Sequence, residues 1–246
     1  MSFFKKKNNY FTAATIITKG TTLVGDLIGD DSVHIDGHVQ GDIKVNNVVI
    51  IGKDGEVHGN IKAKHIICNG NIEGDVLCDN VEMLEHASAH CHIKANKMLL
   101  KGSCKGNILC SGLFVAQEGL LEANVEAKNV VAGGTIIATI ACLALKIPKT
   151  GQLKGKIFAN RIINEGGHVE GFIGKFHDFM MQNPQLQHYS NIFKASKDIA
   201  LLEDKDYLVD VKREIKNSKK PSNQKKHLFL DVTFEDSDHI PLRKVS

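Results

Sequence analysis

The residues best suited to chemistry are six cysteines, which all lie between Cys68 and Cys142. An even number of cysteines could form disulfides or bind zinc, but no two of them have the CxxC spacing of a zinc finger. Three of them, Cys78, Cys110 and Cys142, are instead separated by regular steps of 32 residues. This regularity indicates a recurring structural position, and we predict that most of these thiols are small core residues.

A second candidate is the group of histidines around Cys91. His90 and His92 flank this cysteine, so they share the outer face of a strand if Cys91 points inward. Together with His86 they could hold a metal ion, but isolated outward histidines are more common than metal sites. We therefore predict no metal site here.

Signatures of catalysis and of nucleotide binding do not occur in the sequence. No histidine forms a spaced set with a carboxylate or a serine of the kind that a catalytic triad requires. The phosphate-binding patterns GxxxxGK[ST] and GxGxxG are missing from all 246 residues. These observations predict a protein with no catalytic residue and no cofactor.

The composition excludes further classes of protein. With 31 basic and 28 acidic residues, the net charge of +3 is too balanced to indicate a nucleic-acid-binding protein by itself. No apolar run reaches the ~18 residues that a membrane-spanning helix needs. No long apolar segment follows Lys5, Lys6 and Lys7, so a secretory signal is not expected.

The distribution of residue types divides the chain into three parts. All 22 glycines lie between Gly20 and Gly174. Of eleven Phe and three Tyr, only Phe114 and Phe158 fall between residues 21 and 171. We predict a flexible head over residues 1–20, a glycine-rich domain over residues 21–175, and a partly helical or disordered tail over residues 176–246.

The glycine-rich domain contains a short repeat, which consists of a small residue, usually a polar one, and then a branched aliphatic anchor. The ten anchors are Leu27, Ile43, Ile61, Val76, Ile93, Ile108, Val125, Ile140, Ile157 and Ile173. Between Ile61 and Ile157 the spacing alternates between 15 and 17 residues. Apolar residues also recur 2, 5 and 7 positions after many anchors. Steps of two are the period of a strand, and the step of three marks a corner.

This pattern predicts an all-β fold, a parallel β-helix of about ten coils of 15–17 residues. Each coil would consist of two or three very short strands joined by turns. A narrow lumen accommodates aliphatic side chains, alanine and cysteine but few rings, which explains the exclusion of aromatic residues. Ten coils at about 4.8 Å per step give a rod roughly 45–50 Å long.

The sequence resembles the bactofilins, a family of bacterial polymer-forming cytoskeletal proteins. The resemblance is specific over residues 12–85 and fades through about residue 110. It is carried by residues 15–26, TIITKGTTLVGD, and 33–43, VHIDGHVQGDI, and by VIIG at 49–52 and VHGNIKA at 57–63. The resemblance implies a right-handed β-helix, end-to-end filaments that need no nucleotide, and a scaffold at the inner membrane face. The repeat and the tail are both longer here than is usual for the family.

The two ends of the rod are the predicted polymerisation surfaces, because an uncapped solenoid exposes unpaired backbone groups and part of its core at each end. The residues that would make these contacts are Leu23, Val24 and Leu27 at one end and Phe172, Ile173 and Phe176 at the other. The alternative for the second end is that the tail folds back as a cap over Ile173.

The head carries a predicted membrane-binding motif that consists of Phe3, Phe4, Lys5, Lys6 and Lys7. Three lysines contribute about 2–3 kcal/mol near an anionic bilayer, and buried Phe side chains add up to ~1.5–3 kcal/mol each. The alternative is a terminus without a function.

The tail contains three segments of different character. Residues 196–215 have a helical pattern. Residues 212–226 contain seven basic residues and resemble a solvated linker, and the alternative for them is a second contact with a membrane or a polyanion. Beyond it, apolar residues alternate from Leu228 to Phe234, which is typical of a strand. Such a strand could dock on this chain or capture a partner.

Together these features predict a non-enzymatic scaffold. It would assemble into nucleotide-independent filaments at the cytoplasmic face of the inner membrane and organise proteins of cell shape or the cell envelope. The first alternative is a β-helical acyltransferase or a trimer like carbonic anhydrase, whose 18-residue coil the alternating 15 and 17 fit poorly. The second alternative is an adaptor whose own tail caps the rod.

Overall fold

The computed structural model describes residues 14–183. It contains one short helix, α1 (Phe176–Gln182), and eighteen strands. The strands are β1 Ala14–Ile17, β2 Thr22–Val24, β3 Leu27–Gly29, β4 Ser32–Ile35, β5 His38–Gln40, β6 Ile43–Val45, β7 Val48–Ile51, β8 Glu56–His58, β9 Ile61–Lys62, β10 His65–Cys68, β11 Asn71–Leu77, β12 Asn80–Met83, β13 Ser88–Leu100, β14 Ser103–Val115, β15 Leu120–Ala132, β16 Thr135–Ile147, β17 Gln152–Asn164 and β18 His168–Gly174.

The strands wind into a solenoid with three walls, in which every coil pairs in parallel with the next. The first wall contains β1, β4, β7, β10, β12 and the C-terminal ends of β13 to β17. The second wall starts with β2, β5 and β8, and the third wall with β3, β6 and β9. From β11 onward, single strands contribute to more than one wall. The predicted β-helix of about ten coils is therefore confirmed.

The register of the coils follows the sequence repeat. Leu27 pairs with Ile43, Ile43 with Ile61, and this column continues through all ten anchors to Ile173. The eight anchors between its two ends are buried. A column of nearly identical aliphatic side chains thus fills one side of the lumen, and each coil completes the core of its neighbours.

The strands of the later coils are longer than the sequence pattern predicts. From β13 to β17 each strand has 13 residues and continues around the corners of the coil. At the corner between the second and third walls Cys91 keeps register with Gly106, whereas at the next corner the pairing passes over Asn96 and Ser111. Because the ladder continues through the first corner and resumes directly after the second, the short strands predicted from the repeat merge into one.

A column of small residues forms the corner between the second and third walls, with glycine at seven of its ten positions and Cys91, Ala123 and Ala138 at the others. Gly41 has a φ of +151°, a conformation that side chains disfavour. A Cβ atom at this position would also collide with the carbonyl oxygen of Gly25 in the preceding coil. The small residue at the start of each repeat is therefore required by the close stacking of one coil on the next.

The cysteines lie in the lumen, as the sequence predicts. All six are buried and none forms a disulfide. Cys78, Cys110 and Cys142 belong to one column in which cysteine alternates with alanine at residues 63, 95, 127 and 159. Burial raises the pKa of the thiols of Cys78 and Cys110 to about 12. These thiols are therefore protonated core side chains at neutral pH.

The solenoid begins earlier in the chain than its composition suggests. β1 starts at Ala14 and pairs with β4, so its residues lie within the segment 1–20 that the sequence analysis assigns to the head. The first coil consequently has a strand in each of the three walls.

Candidate functional site

The N-terminal end of the solenoid presents three strand edges. β1, β2 and β3 pair with β4, β5 and β6 of the second coil. On their other side, these strands have no strand partner among residues 14–183. Their outer N–H and C=O groups form a template for a further parallel or antiparallel coil.

Apolar side chains accompany these edges in two positions. Leu23 and Leu27 are half-buried and pack against the N-terminal end of the lumen core. Val24 and Ile28 project outward from the same coil and are each 75% exposed. Leu23, Val24 and Leu27 were predicted from the sequence. Ile28 was not, although its position directly after the first anchor indicates an outward residue. The first coil therefore offers apolar surface both along the rod axis and on its rim.

The C-terminal end is formed by β18, which pairs with β17 on one side. Ile173 stacks on Ile157 and packs against the lumen core. Phe172 is 38% exposed, and its ring centroid lies 5.7 Å from that of Phe158. The end is stepped, since the first wall stops at Asn164 within the described residues. Phe172 and Ile173 therefore lie where a second copy would stack.

Phe176 has a different environment from its two predicted partners. It is buried in a separate cluster with Ala141 and Phe158, which Phe179 and Met180 of α1 also contact. Ala141 and Phe158 pair with each other on the outer side of the third wall. α1 thus covers the side of β16 and β17, whereas Ile173 belongs to the lumen core. Phe176 anchors the helix to the rod and is not presented at the end of the last coil.

The predicted head and tail motifs lie outside the part of the chain that the structure describes. Phe3, Phe4, Lys5, Lys6 and Lys7 lie outside the described residues, and so do the segments 196–215, 212–226 and 228–234. Their roles stay predictions.

The histidines around Cys91 lie on the outside, as expected from an inward Cys91. His90 and His92 are exposed and Cys91 is buried. Asn107 of the next coil donates a hydrogen bond to Nδ1 of His92 at 2.7 Å. In the part of the chain that the structure describes, His86, His90 and His92 are not among the side chains whose ligand atoms converge.

A different set of side chains does converge, on the outer face of the second wall. The ligand atoms of His38, Glu56 and His58 all lie within 4.8 Å of one another. The hydrogen bond from His58 is the main reason that the pKa of Glu56 is lowered. The repeat contains the signal for this cluster, because His38 and Glu56 each lie five residues before an anchor and His58 lies three residues before one.

A shallow groove follows the outer face of the third wall. Lysines and aliphatic residues alternate along it, and Lys62, Leu77, Lys94, Leu109 and Glu126 are among its lining residues. Burial raises the pKa of the Glu126 carboxyl. The lining also includes Asp75 and His92.

No helix within residues 14–183 combines the length and the apolar composition that a bilayer span requires.

Comparison with known proteins matches this chain to one family model. The model of the bactofilin family, described as polymer-forming cytoskeletal, matches residues 15–101 and again residues 95–173. Together the two matches cover more than half of the 246 residues. No curated protein and no solved structure matches the chain. The double match agrees with a solenoid that has more coils than one family unit.

Proposed function

Because this chain belongs to the bactofilin family of polymer-forming cytoskeletal proteins, we propose that it assembles end to end into filaments that need no nucleotide. The main support for this proposal is the structure of the two ends of the rod. Each of them combines unpaired strand edges, among the described residues, with half-buried apolar side chains of the lumen core.

At the N-terminal end, stacking would bury the exposed sides of Leu23 and Leu27 and cover the flanks of the rim residues Val24 and Ile28 that face the second copy. Burying an aliphatic side chain contributes up to about 1.5–3 kcal/mol, so four of them provide a substantial part of a contact. The edges of the first coil would add backbone hydrogen bonds to the second copy. This combination favours polymerisation over a loose surface contact.

At the C-terminal end, Phe172 and Ile173 would form the corresponding contact. Phe176 supports it indirectly, because α1 holds Phe158, and Phe158 in turn packs against Phe172. If each end pairs with its own kind, both contacts are isologous and the filament has no polarity.

The filament would lie at the cytoplasmic face of the inner membrane. Phe3, Phe4, Lys5, Lys6 and Lys7 precede the first coil, and each copy would contribute one such motif. A single motif binds an anionic surface weakly, but many motifs on one filament bind it with avidity. The domain organisation that we propose is a membrane-binding head, a polymer-forming rod and a partner-specific tail.

The role of the filament would be that of a scaffold for proteins of cell shape or the cell envelope, without catalysis. The groove on the third wall and the tail beyond residue 183 are the surfaces on which partners would dock. The alternating lysines and aliphatic residues of the groove suit an acidic partner with apolar anchors.

Electron microscopy of the purified full chain, without nucleotide and at low and high salt, tests this proposal. Contacts made by buried apolar residues persist at high salt, whereas contacts between exposed charges are screened. We expect filaments under both conditions. Particles that stay monomeric at every protein concentration would refute the proposal.

A further inference from the structure

The outer face of the second wall carries a compact group of imidazole and carboxylate side chains. Nδ1 of His38 lies 3.0 Å from Oε2 of Glu56, and Nε2 of His58 lies 2.9 Å from Oε1 of the same carboxylate. The centroids of the two imidazole rings are 5.1 Å apart. Glu56 thus stands between two histidines that approach it from different directions.

The solenoid itself creates this arrangement. His38 of β5 pairs with Glu56 of β8 in the parallel ladder, and His58 lies two residues beyond Glu56 on the same strand. Outward side chains of neighbouring coils are about 4.8 Å apart, and alternate residues of a strand share one face. The backbone ladder therefore holds three ligand-bearing side chains at a fixed separation.

The hydrogen-bonding capacity of His58 is exceeded in its neutral form. Its Nε2 faces Glu56 at 2.9 Å, and its Nδ1 faces Glu73 at 2.9 Å. A neutral imidazole has one N–H donor and one lone pair, and an ionised carboxylate only accepts hydrogen bonds. One of the two contacts therefore sets a lone pair against a carboxylate oxygen, unless a second proton or a metal ion lies between them.

Glu73 and Gln40 provide the outer contacts that metal-binding histidines require. Ligating histidines usually place their second ring nitrogen against a carboxylate or another polar group, which fixes the orientation of the ring. Here Glu73 contacts Nδ1 of His58. The amide nitrogen of Gln40 lies 3.1 Å from Nε2 of His38, and metal binding through Nδ1 would require this amide to turn its oxygen toward the Nε2 proton. Nδ1 of His38 and Nε2 of His58, which face Glu56, would then bind the shared ion.

We propose that His38, Glu56 and His58 bind a divalent transition metal ion with the preferences of Zn²⁺. Two imidazoles and one carboxylate are a known donor set for zinc, with a fourth position left for water. Zinc bonds of about 2.0–2.1 Å separate tetrahedral ligand atoms by roughly 3.3 Å. The two histidine nitrogens lie 2.9 and 3.0 Å from different oxygens of Glu56, and one ligand atom from each of the three residues lies within 4.8 Å of the other two. Small rotations of the three side chains would admit the ion.

The consequence of binding would be a cross-link between the second and third coils. His38 belongs to the coil directly behind the N-terminal end, and Glu56 and His58 belong to the next one. A ligand that binds only the folded chain stabilises it in proportion to the logarithm of its concentration. Zn²⁺ would therefore raise the melting temperature of the rod, whether or not the chain forms filaments.

The test is calorimetric titration of the untagged full chain, freed of metal by a chelator, with zinc chloride. We expect one saturable equivalent of Zn²⁺ per chain and a higher melting temperature in its presence. His58→Ala should abolish both effects, and Glu73→Gln should weaken binding roughly 10-fold to 100-fold, as loss of an outer contact does. Co²⁺, whose absorption spectrum reports its ligands, provides a second probe.

His168→Ala is the matched control. This histidine lies five residues before the last anchor, so it occupies the position of His38 at the other end of the rod. It should leave the affinity unchanged. The proposal is overturned if the wild-type chain shows no saturable binding of Zn²⁺. It is equally overturned if a folded His38→Ala/His58→Ala variant, checked by circular dichroism, binds the ion as tightly as the wild type.

Discussion

The rings of Phe158 and Phe172 lie 5.7 Å apart and are tilted by 57°. This pair joins the last strand of the solenoid to the strand below it, and it leaves part of Phe172 exposed at the C-terminal end. Phe172 is therefore held in place by its own chain while it remains accessible to a second copy.

Replacing Phe172 by arginine should prevent assembly through this end and leave the rod folded. The arginine stem and guanidinium can stack on Phe158, but a second copy would have to bury the charge, which is costly. Sedimentation velocity and electron microscopy measure the result. We expect small species in place of filaments, and an unchanged circular dichroism spectrum.

Ile137→Arg is the control for this variant. Ile137 is 46% exposed on the outer face of the second wall, within β16 and away from both ends. The same change of charge at this position should leave filaments intact. Normal filaments from Phe172→Arg would exclude Phe172 from the contact, and loss of filaments from both variants would indicate a general effect of charge.

The double variant Val24→Arg/Ile28→Arg should block the N-terminal end. Each of these side chains contributes up to about 1.5–3 kcal/mol if it is buried in the contact, so their loss reduces association more than 10-fold. Combination with Phe172→Arg then distinguishes the two kinds of filament. If like ends pair, each single-end variant forms dimers and the combined variant is monomeric. If unlike ends pair, each single-end variant is already monomeric.

Most of the fold was predictable because the repeat is short and its geometry is local. The ten aliphatic anchors and the cysteines at intervals of 32 residues mark positions that the ladder places in single columns. The lateral position of α1 was not predictable, because Phe176 has no counterpart in the repeat and packs on outward residues of other coils. The His38–Glu56–His58 cluster was missed since its members are 18 and 2 residues apart and meet only when the coils are stacked.

The corner glycines provide a test of the stacking itself. In Gly41→Ala the new methyl group would meet the carbonyl oxygen of Gly25, and alanine would have to adopt a φ of +151°. We expect a loss of about 1–3 kcal/mol in the free energy of unfolding and a lower melting temperature. Gly112→Ala is the matched control, because a Cβ atom there meets nothing within 4 Å. Equal melting temperatures for the two variants would contradict the close stacking at the corner.

We predict that the rod loses stability at alkaline pH, because folding keeps buried thiols protonated. Burial raises the pKa of Cys78 from 9.0 to about 12, so the folded chain keeps a proton that the unfolded chain releases between these values. Stability contributed by this protonated thiol is fully present below pH ~9 and decreases by about 1.4 kcal/mol per pH unit between pH ~9 and ~12. Cys78→Ala removes this dependence and fits the lumen, since alanine occupies the same column at residues 63 and 95. Urea unfolding at neutral pH and at about pH 10, at one protein concentration, measures the difference. The variant should lose less stability than the wild type over this interval, whereas identical losses would show that Cys78 is ionised in the folded rod.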